Sequence, residues 1–186
     1  MLQRPIESTL LSDSTNANVV LSFGFDGSAP YDAFTPAEWP QQARAFSAIN
    51  LTYSPSIGTG FDDIVERNVP ADSCYQPKAF VPPATIDWSS ASDRERAALL
   101  ALWQIEASMR TSLTLQLDST LRNASTGFFI VYIGTFNEWH EGTAFEPMKD
   151  RAALLSQELP FGYHNPARGR YRLDYLRPRL EQLIRG

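Results

Sequence analysis

The strongest constraint on what this chain can fold into is a set of three short, nearly continuous apolar runs separated by helix-like stretches. The runs are residues 18–25 (NVVLSFGF), 49–55 (INLTYSP) and 128–135 (FFIVYIGT). Each is rich in β-branched and aromatic residues, and apolar runs of this kind suit strands of a parallel sheet covered on both faces. All three are therefore expected to be buried strands.

Helical patterns lie between and after them. Residues 36–48 begin with Thr35 as an N-cap and Pro36 at the first helical position. The longest helix is predicted over 92–117, capped by Ser92 with Glu95 completing a capping box. Its apolar positions Leu99, Leu102, Trp103, Ile105, Met109 and Leu113 recur at three- and four-residue spacing. A last helix is predicted over 172–185. Strand–helix–strand alternation places the chain in the α/β class, and its 186 residues suffice for a single domain spanning 1–186. Two segments without periodicity, 56–91 and 136–171, each follow a predicted strand, where barrel enzymes assemble their active-site loops.

Composition removes several function classes. The net charge is −5 and the arginines are scattered or C-terminal, so nucleic acid is not an expected partner. There is one cysteine, Cys74, which excludes an intramolecular disulfide and a cysteine-based zinc site. The two histidines, His140 and His164, are too far apart for an HExxH motif. The N-terminus lacks the apolar stretch of a signal peptide, and no 18-residue apolar run is available to span a membrane. Compartment stays open. Two sequons, at Asn50 and Asn123, matter only in a eukaryotic secretory pathway.

Three polar clusters sit at the ends of predicted strands. They are Asp26-Gly27 with Tyr31-Asp32, then Phe61-Asp62-Asp63, then Asn137-Glu138-Trp139-His140-Glu141. In a parallel sheet such ends share one rim. Glu138 and Glu141 are three residues apart, so a helical turn puts both on one face with Cβ atoms about 5–6 Å apart. Glycoside cleavage requires two carboxyl groups with different tasks. Like charge and apolar neighbours such as Phe136 and Trp139 drive their pKa values apart. A solvated acidic turn has the same spacing. Asn137 either bonds a sugar hydroxyl or braces Glu138, and Trp139 either lines a pocket or packs under the loop. His140 is a substrate contact or a plain loop histidine. Asp62, Asp26 and Tyr31 are sugar-binding candidates or turn residues.

The string Thr135-Phe136-Asn137-Glu138-Trp139-His140-Glu141-Gly142-Thr143, followed by Glu146-Pro147, resembles the signature of glycoside hydrolase family 99 and of the related WbsX-like polysaccharide-biosynthesis proteins. Gly24-Phe25-Asp26-Gly27 resembles that family's Gly-Phe-Asp strand end. Residues 55–63 (PSIGTGFDD) resemble its Pro-x-Val-x-x-Gly-aromatic-Asp loop. The resemblance runs through residues 18–180. It implies a (β/α)8 barrel of TIM type and retaining, endo-acting cleavage of α-mannosides or related glycans, with an oligosaccharide or polysaccharide as substrate. By motif position, Glu138 would take the proton of the sugar 2-hydroxyl, which attacks the anomeric carbon to give a 1,2-anhydro sugar. Glu141 would be the general acid and then the base that activates water. No metal or cofactor is implied.

Two features depart from the pattern. Phe61 stands where the hydrolases commonly carry a tyrosine, so the ring remains and the hydroxyl is lost. A complete barrel typically takes about 250 residues, so the expectation is that only the C-terminal half to two-thirds of one is present. An N-terminal half or a homo-oligomer would then complete it. The alternatives to a hydrolase are a non-hydrolytic glycan-binding or polysaccharide-biosynthesis protein, and an inactive truncated fragment.

Overall fold

The computed structural model describes residues 2–4, 14–30, 36–58, 90–137, 144–157 and 168–185. In chain order the elements are β1 (Leu2–Arg4), α1 (Ser14–Ser22), β2 (Gly27–Pro30), α2 (Trp39–Ser47), β3 (Thr52–Tyr53), β4 (Ile57–Gly58), α3 (Ala91–Leu117), α4 (Arg122–Thr126), β5 (Ile133–Gly134) and α5 (Tyr171–Arg185). A 3-10 turn, Arg151–Ala153, precedes α5. The chain divides into two compact units: Met1–Gly58 with Ile105–Gly134, and Thr59–Gln104 with Thr135–Gly186.

All the described strands lie in the first unit, and every pairing is parallel. β1, β2 and β3 form one sheet in that order, with Ser28 opposite both Leu2 and Tyr53. β4 and β5 form a second, with Ile57 opposite Ile133 and Gly58 opposite Gly134. The core of this unit is Ala17, Val20, Trp39, Ala43, Phe46, Leu51, Tyr53, Leu115 and Leu121. At its centre the Phe46 and Tyr53 rings lie 5.4 Å apart and tilted, a separation favourable to aromatic pairs.

The strands differ from the sequence expectation. Residues 18–25 are not a strand: through Ser22 they belong to α1, and the strand is the next segment, Gly27–Pro30. Ala17 and Val20 are buried while Val19 and Leu21 are exposed, a helical spacing that a short apolar run cannot distinguish from a strand. Gly24, at φ +76°, turns the chain out of the helix. The expected strand 49–55 is also shorter, since Pro55 separates β3 from β4. In the third run, only Ile133–Gly134 joins a ladder, and Phe129, Ile130 and Ile133 are exposed rather than buried. β5 has a pairing partner on one edge only among the described residues.

Polar side chains supply what the short ladders lack. Ser112 Oγ donates to the Pro55 carbonyl at 2.9 Å, and Ser54 Oγ to that of Ile130 at 2.7 Å. The Gln116 amide accepts from the Ile130 N–H at 2.8 Å and donates back to its carbonyl. Ser108 Oγ accepts from the Gly58 N–H at 3.1 Å. Ser108, Ser112 and Gln116 follow one another at four-residue steps and are all buried, so one row of α3 serves the backbone of Gly58 in β4 and of Pro55 and Ile130 beside the strands. A buried backbone group left without a partner is costly, and these side chains remove that cost.

The helices match better. α3 covers the expected span, though its cap is Ser90, whose Oγ accepts from the Asp93 N–H at 3.4 Å, rather than Ser92 with Glu95. Its buried face also differs. Ala98, Ala101, Ile105, Ser108, Met109 and Ser112 are buried, whereas Leu99 and Trp103 are exposed. α2 starts at Trp39, with Pro40 in its first turn, and not at Pro36. Pro40 lacks an N–H that a first turn does not need. Thr35 lies outside the described residues. α5 begins one residue before its expected start.

Candidate active site

β5 ends at Gly134, and the acidic motif begins three residues later at Asn137. The segment that carries it is closed at its base within the second unit. The Phe145 N–H donates to the Thr135 carbonyl at 3.0 Å, and the Glu146 N–H to the Phe136 carbonyl at 2.7 Å. These bonds join residues 135–136 to residues 145–146, on either side of the acidic motif in the sequence. Ala144 and Phe145 are buried and anchor the returning arm.

α5 and the turn before it tie down the same arm. Arg172, buried in the first turn of α5, donates from Nη1 to the Ala144 carbonyl at 2.8 Å. The Met148 N–H donates to the Gly169 carbonyl at 2.9 Å. The Gly169 N–H donates to Asp150 Oδ1 at 2.7 Å. A hydrogen bond with a charged partner contributes about 1.5–3 kcal/mol, and two of the three are of this kind, Arg172 to Ala144 and Gly169 to the Asp150 carboxylate. Glu146 takes part through its backbone N–H.

Of the residues singled out in the sequence, Asn137 is exposed at the start of this loop. Glu138, Trp139, His140 and Glu141 lie outside the described residues, as do Tyr31, Phe61 and Asp62. The β4–β5 ladder sets the origins of two of the loops side by side. Gly58 and Gly134 are partners and are the last residues of their strands. The chain reaches Phe61 and Asp62 three and four residues after the first, and Glu138 four residues after the second.

Asp26 does not follow a strand. It precedes β2, and its carbonyl accepts from the Thr52 N–H at 3.0 Å and the Thr52 hydroxyl at 3.1 Å. The polar pair that follows β2 is Tyr31-Asp32, with Tyr31 next in sequence to the strand's last residue, Pro30. Displacement of the strand by the helix at 14–22 accounts for the change. Arg172 escaped the sequence analysis, and Asn123 entered it only as a sequon. The available signal for Arg172 was an arginine four residues before a buried helix position, Leu176.

Over 168 residues the chain is 26% identical to a human glycoprotein endo-alpha-1,2-mannosidase-like protein. The match covers 85% of this chain. The chain spans only 29% of that relative's length. No family model matches the chain. No solved structure matches it. Among the described residues no group of three or more histidine, cysteine or acidic side chains is placed to hold a metal ion. No described helix is long and apolar enough to cross a membrane.

Proposed function

We propose that this chain carries the catalytic loop of a retaining, endo-acting glycoside hydrolase that cleaves α-mannosides or related glycans on a (β/α)8-type scaffold. The observation that carries the reading is the Glu138/Glu141 pair, within the Asn137–Thr143 motif, on a segment whose two arms are bonded together directly after a parallel strand. The similarity to an endo-alpha-1,2-mannosidase-like protein supports the substrate class.

In this reading the Glu138 carboxylate removes the proton from the sugar 2-hydroxyl, and O2 attacks the anomeric carbon. The bond to the leaving oxygen breaks as Glu141 protonates that oxygen, which yields a 1,2-anhydro sugar. Glu141, now a carboxylate, takes a proton from water. The water oxygen bonds to the anomeric carbon as the C1–O2 bond of the anhydro ring breaks, and O2 recovers its proton from Glu138. Two inversions give net retention. Asn137, Trp139, His140, Phe61, Asp62 and Tyr31 are the substrate contacts proposed with the pair, on their place in the sequence motifs. Asp26 is the weakest member of the set, because it stands before its strand.

Proton NMR of the first product released from an α-mannan or a high-mannose oligosaccharide tests the mechanism. The α-anomer is expected before mutarotation, and initial release of the β-anomer rules the mechanism out. A second reading, a glycan-binding or polysaccharide-biosynthesis protein without hydrolysis, is favoured by Phe61, which removes a hydroxyl. Its mark is glycan affinity that survives Glu138→Gln, together with no turnover by the unmodified chain.

A further inference from the structure

We propose that Arg172 is a positioning residue for the acidic motif, fixing Ala144, which follows Glu141 by three residues in the sequence; the inference rests on the glycosidase reading. Arg172 is buried, and it sits in the first turn of α5. Both circumstances disfavour a cation. Burial strips the guanidinium of water, and the N-terminal end of a helix already carries positive potential. A leucine would satisfy the helix and the packing without either cost.

What the guanidinium supplies is a directed, charge-assisted bond to the Ala144 carbonyl, 28 residues away in sequence. Ala144 is three residues after Glu141, and next to Phe145, whose N–H closes the loop on Thr135. Arg172 also lies 5.3 Å from the centre of the Tyr171 ring, which fixes the plane of its fork. Three bonds thus meet over Ala144, Phe145 and Glu146, and Arg172 provides the only one of them that comes from a side chain. Catalytic carboxyl groups must be held within about 0.5 Å of productive geometry. A tie at the loop's base sets that tolerance without touching substrate.

The test compares the full chain with Arg172→Met and Arg172→Lys by amide hydrogen exchange and by steady-state kinetics on an α-mannan. In Arg172→Met the Phe145 and Glu146 amides are expected to exchange at least about 10-fold faster, while amides in the last two turns of α5 are unchanged. Unchanged exchange at Phe145 and Glu146, or equal acceleration throughout α5, overturns the proposal. The value of kcat is expected to fall about 10- to 100-fold with KM within about threefold, and Arg172→Lys should fall between the two. The width of the pH–rate profile should change as well, because it depends on how the two carboxyl groups interact. A proportionate loss of rate with an unaltered profile means that only the amount of folded protein has changed, and this also overturns it. An unmodified chain that turns over no glycan defeats the glycosidase reading instead, and the exchange result still decides whether Arg172 holds the loop.

Discussion

The side-chain amide of Asn123 bonds both backbone groups of Tyr53: Oδ1 accepts from the Tyr53 N–H and Nδ2 donates to the Tyr53 carbonyl, each at 3.0 Å. One asparagine, 70 residues away in sequence, stands in for a neighbouring strand along β3. It is buried, and its own carbonyl accepts from the Phe128 N–H as α4 ends at Gly127. Asn123 is also a sequon asparagine, yet both polar atoms of its side chain are engaged within the fold.

Asn123→Ala leaves a buried donor and a buried acceptor unsatisfied. At about 1–3 kcal/mol for each such group, the expected destabilisation is about 2–6 kcal/mol, read from urea unfolding midpoints at constant slope. A change below about 0.5 kcal/mol would mean that water or another side chain replaces the amide.

Gly27 is required by the closeness of β2 and β3. A Cβ built there falls 2.0 Å from Thr52 Oγ1 and 2.7 Å from the Thr52 carbonyl oxygen. Gly27→Ala should cost about 1–3 kcal/mol, the usual range for overpacking. Thr52→Ala should recover only part of this loss, since the clash with the carbonyl remains. Full recovery in the double variant would contradict the strand spacing.

The two faces of α3 make opposite predictions about residues that look alike in sequence. Ile105 is fully buried and Trp103 is 65% exposed. Ile105→Ala should destabilise by about 2–5 kcal/mol. Trp103→Gln should stay within about 0.5 kcal/mol, as surface changes usually do. Equal thermal shifts for the two variants would show that the apolar stripe expected from the sequence is the real one.

Asp118, just beyond α3, has its pKa held below the ordinary carboxylate value, first by the Thr120 hydroxyl and then by the Thr120 N–H. A lowered folded-state pKa makes the group stabilising above its unfolded pKa, and that contribution disappears as pH falls through the folded value. Thr120→Ala should therefore raise the Asp118 pKa in an NMR titration. It should lower stability throughout the range above the unfolded pKa, neutral pH included, and leave it little changed below the folded value, so that the acid limb becomes shallower. An unshifted titration would contradict the assignment.

The sequence foretold some elements and not others for identifiable reasons. α3 and α5 were legible because their patterns are long and start signals lie nearby. β2 was not, because Gly27-Ser28-Ala29-Pro30 carries no β-branched or aromatic residue. It is a strand because β1 and β3 flank it and its small side chains let them approach. The run at 18–25 misled because Val19, Val20 and Leu21 are consecutive, and only burial reveals that Val20 faces inward with Ala17. The acidic motif is read from the sequence alone, since Glu138 to Glu141 lie outside the described residues. The groups that hold the fold and the loop, Asn123 and Arg172, were not legible, because each bonds a backbone atom remote in sequence that no local pattern announces.

The most direct measurement is the rate of α-mannan or high-mannose oligosaccharide hydrolysis by the unmodified chain, by Glu138→Gln and by Glu141→Gln, with melting temperatures recorded for all three. General acid–base groups contribute about 10²- to 10⁴-fold each. Losses of that size in both variants, at unchanged melting temperature, are the predicted result. Turnover that survives either substitution, or none by the unmodified chain, would contradict the assignment of Glu138 and Glu141 as the reacting pair.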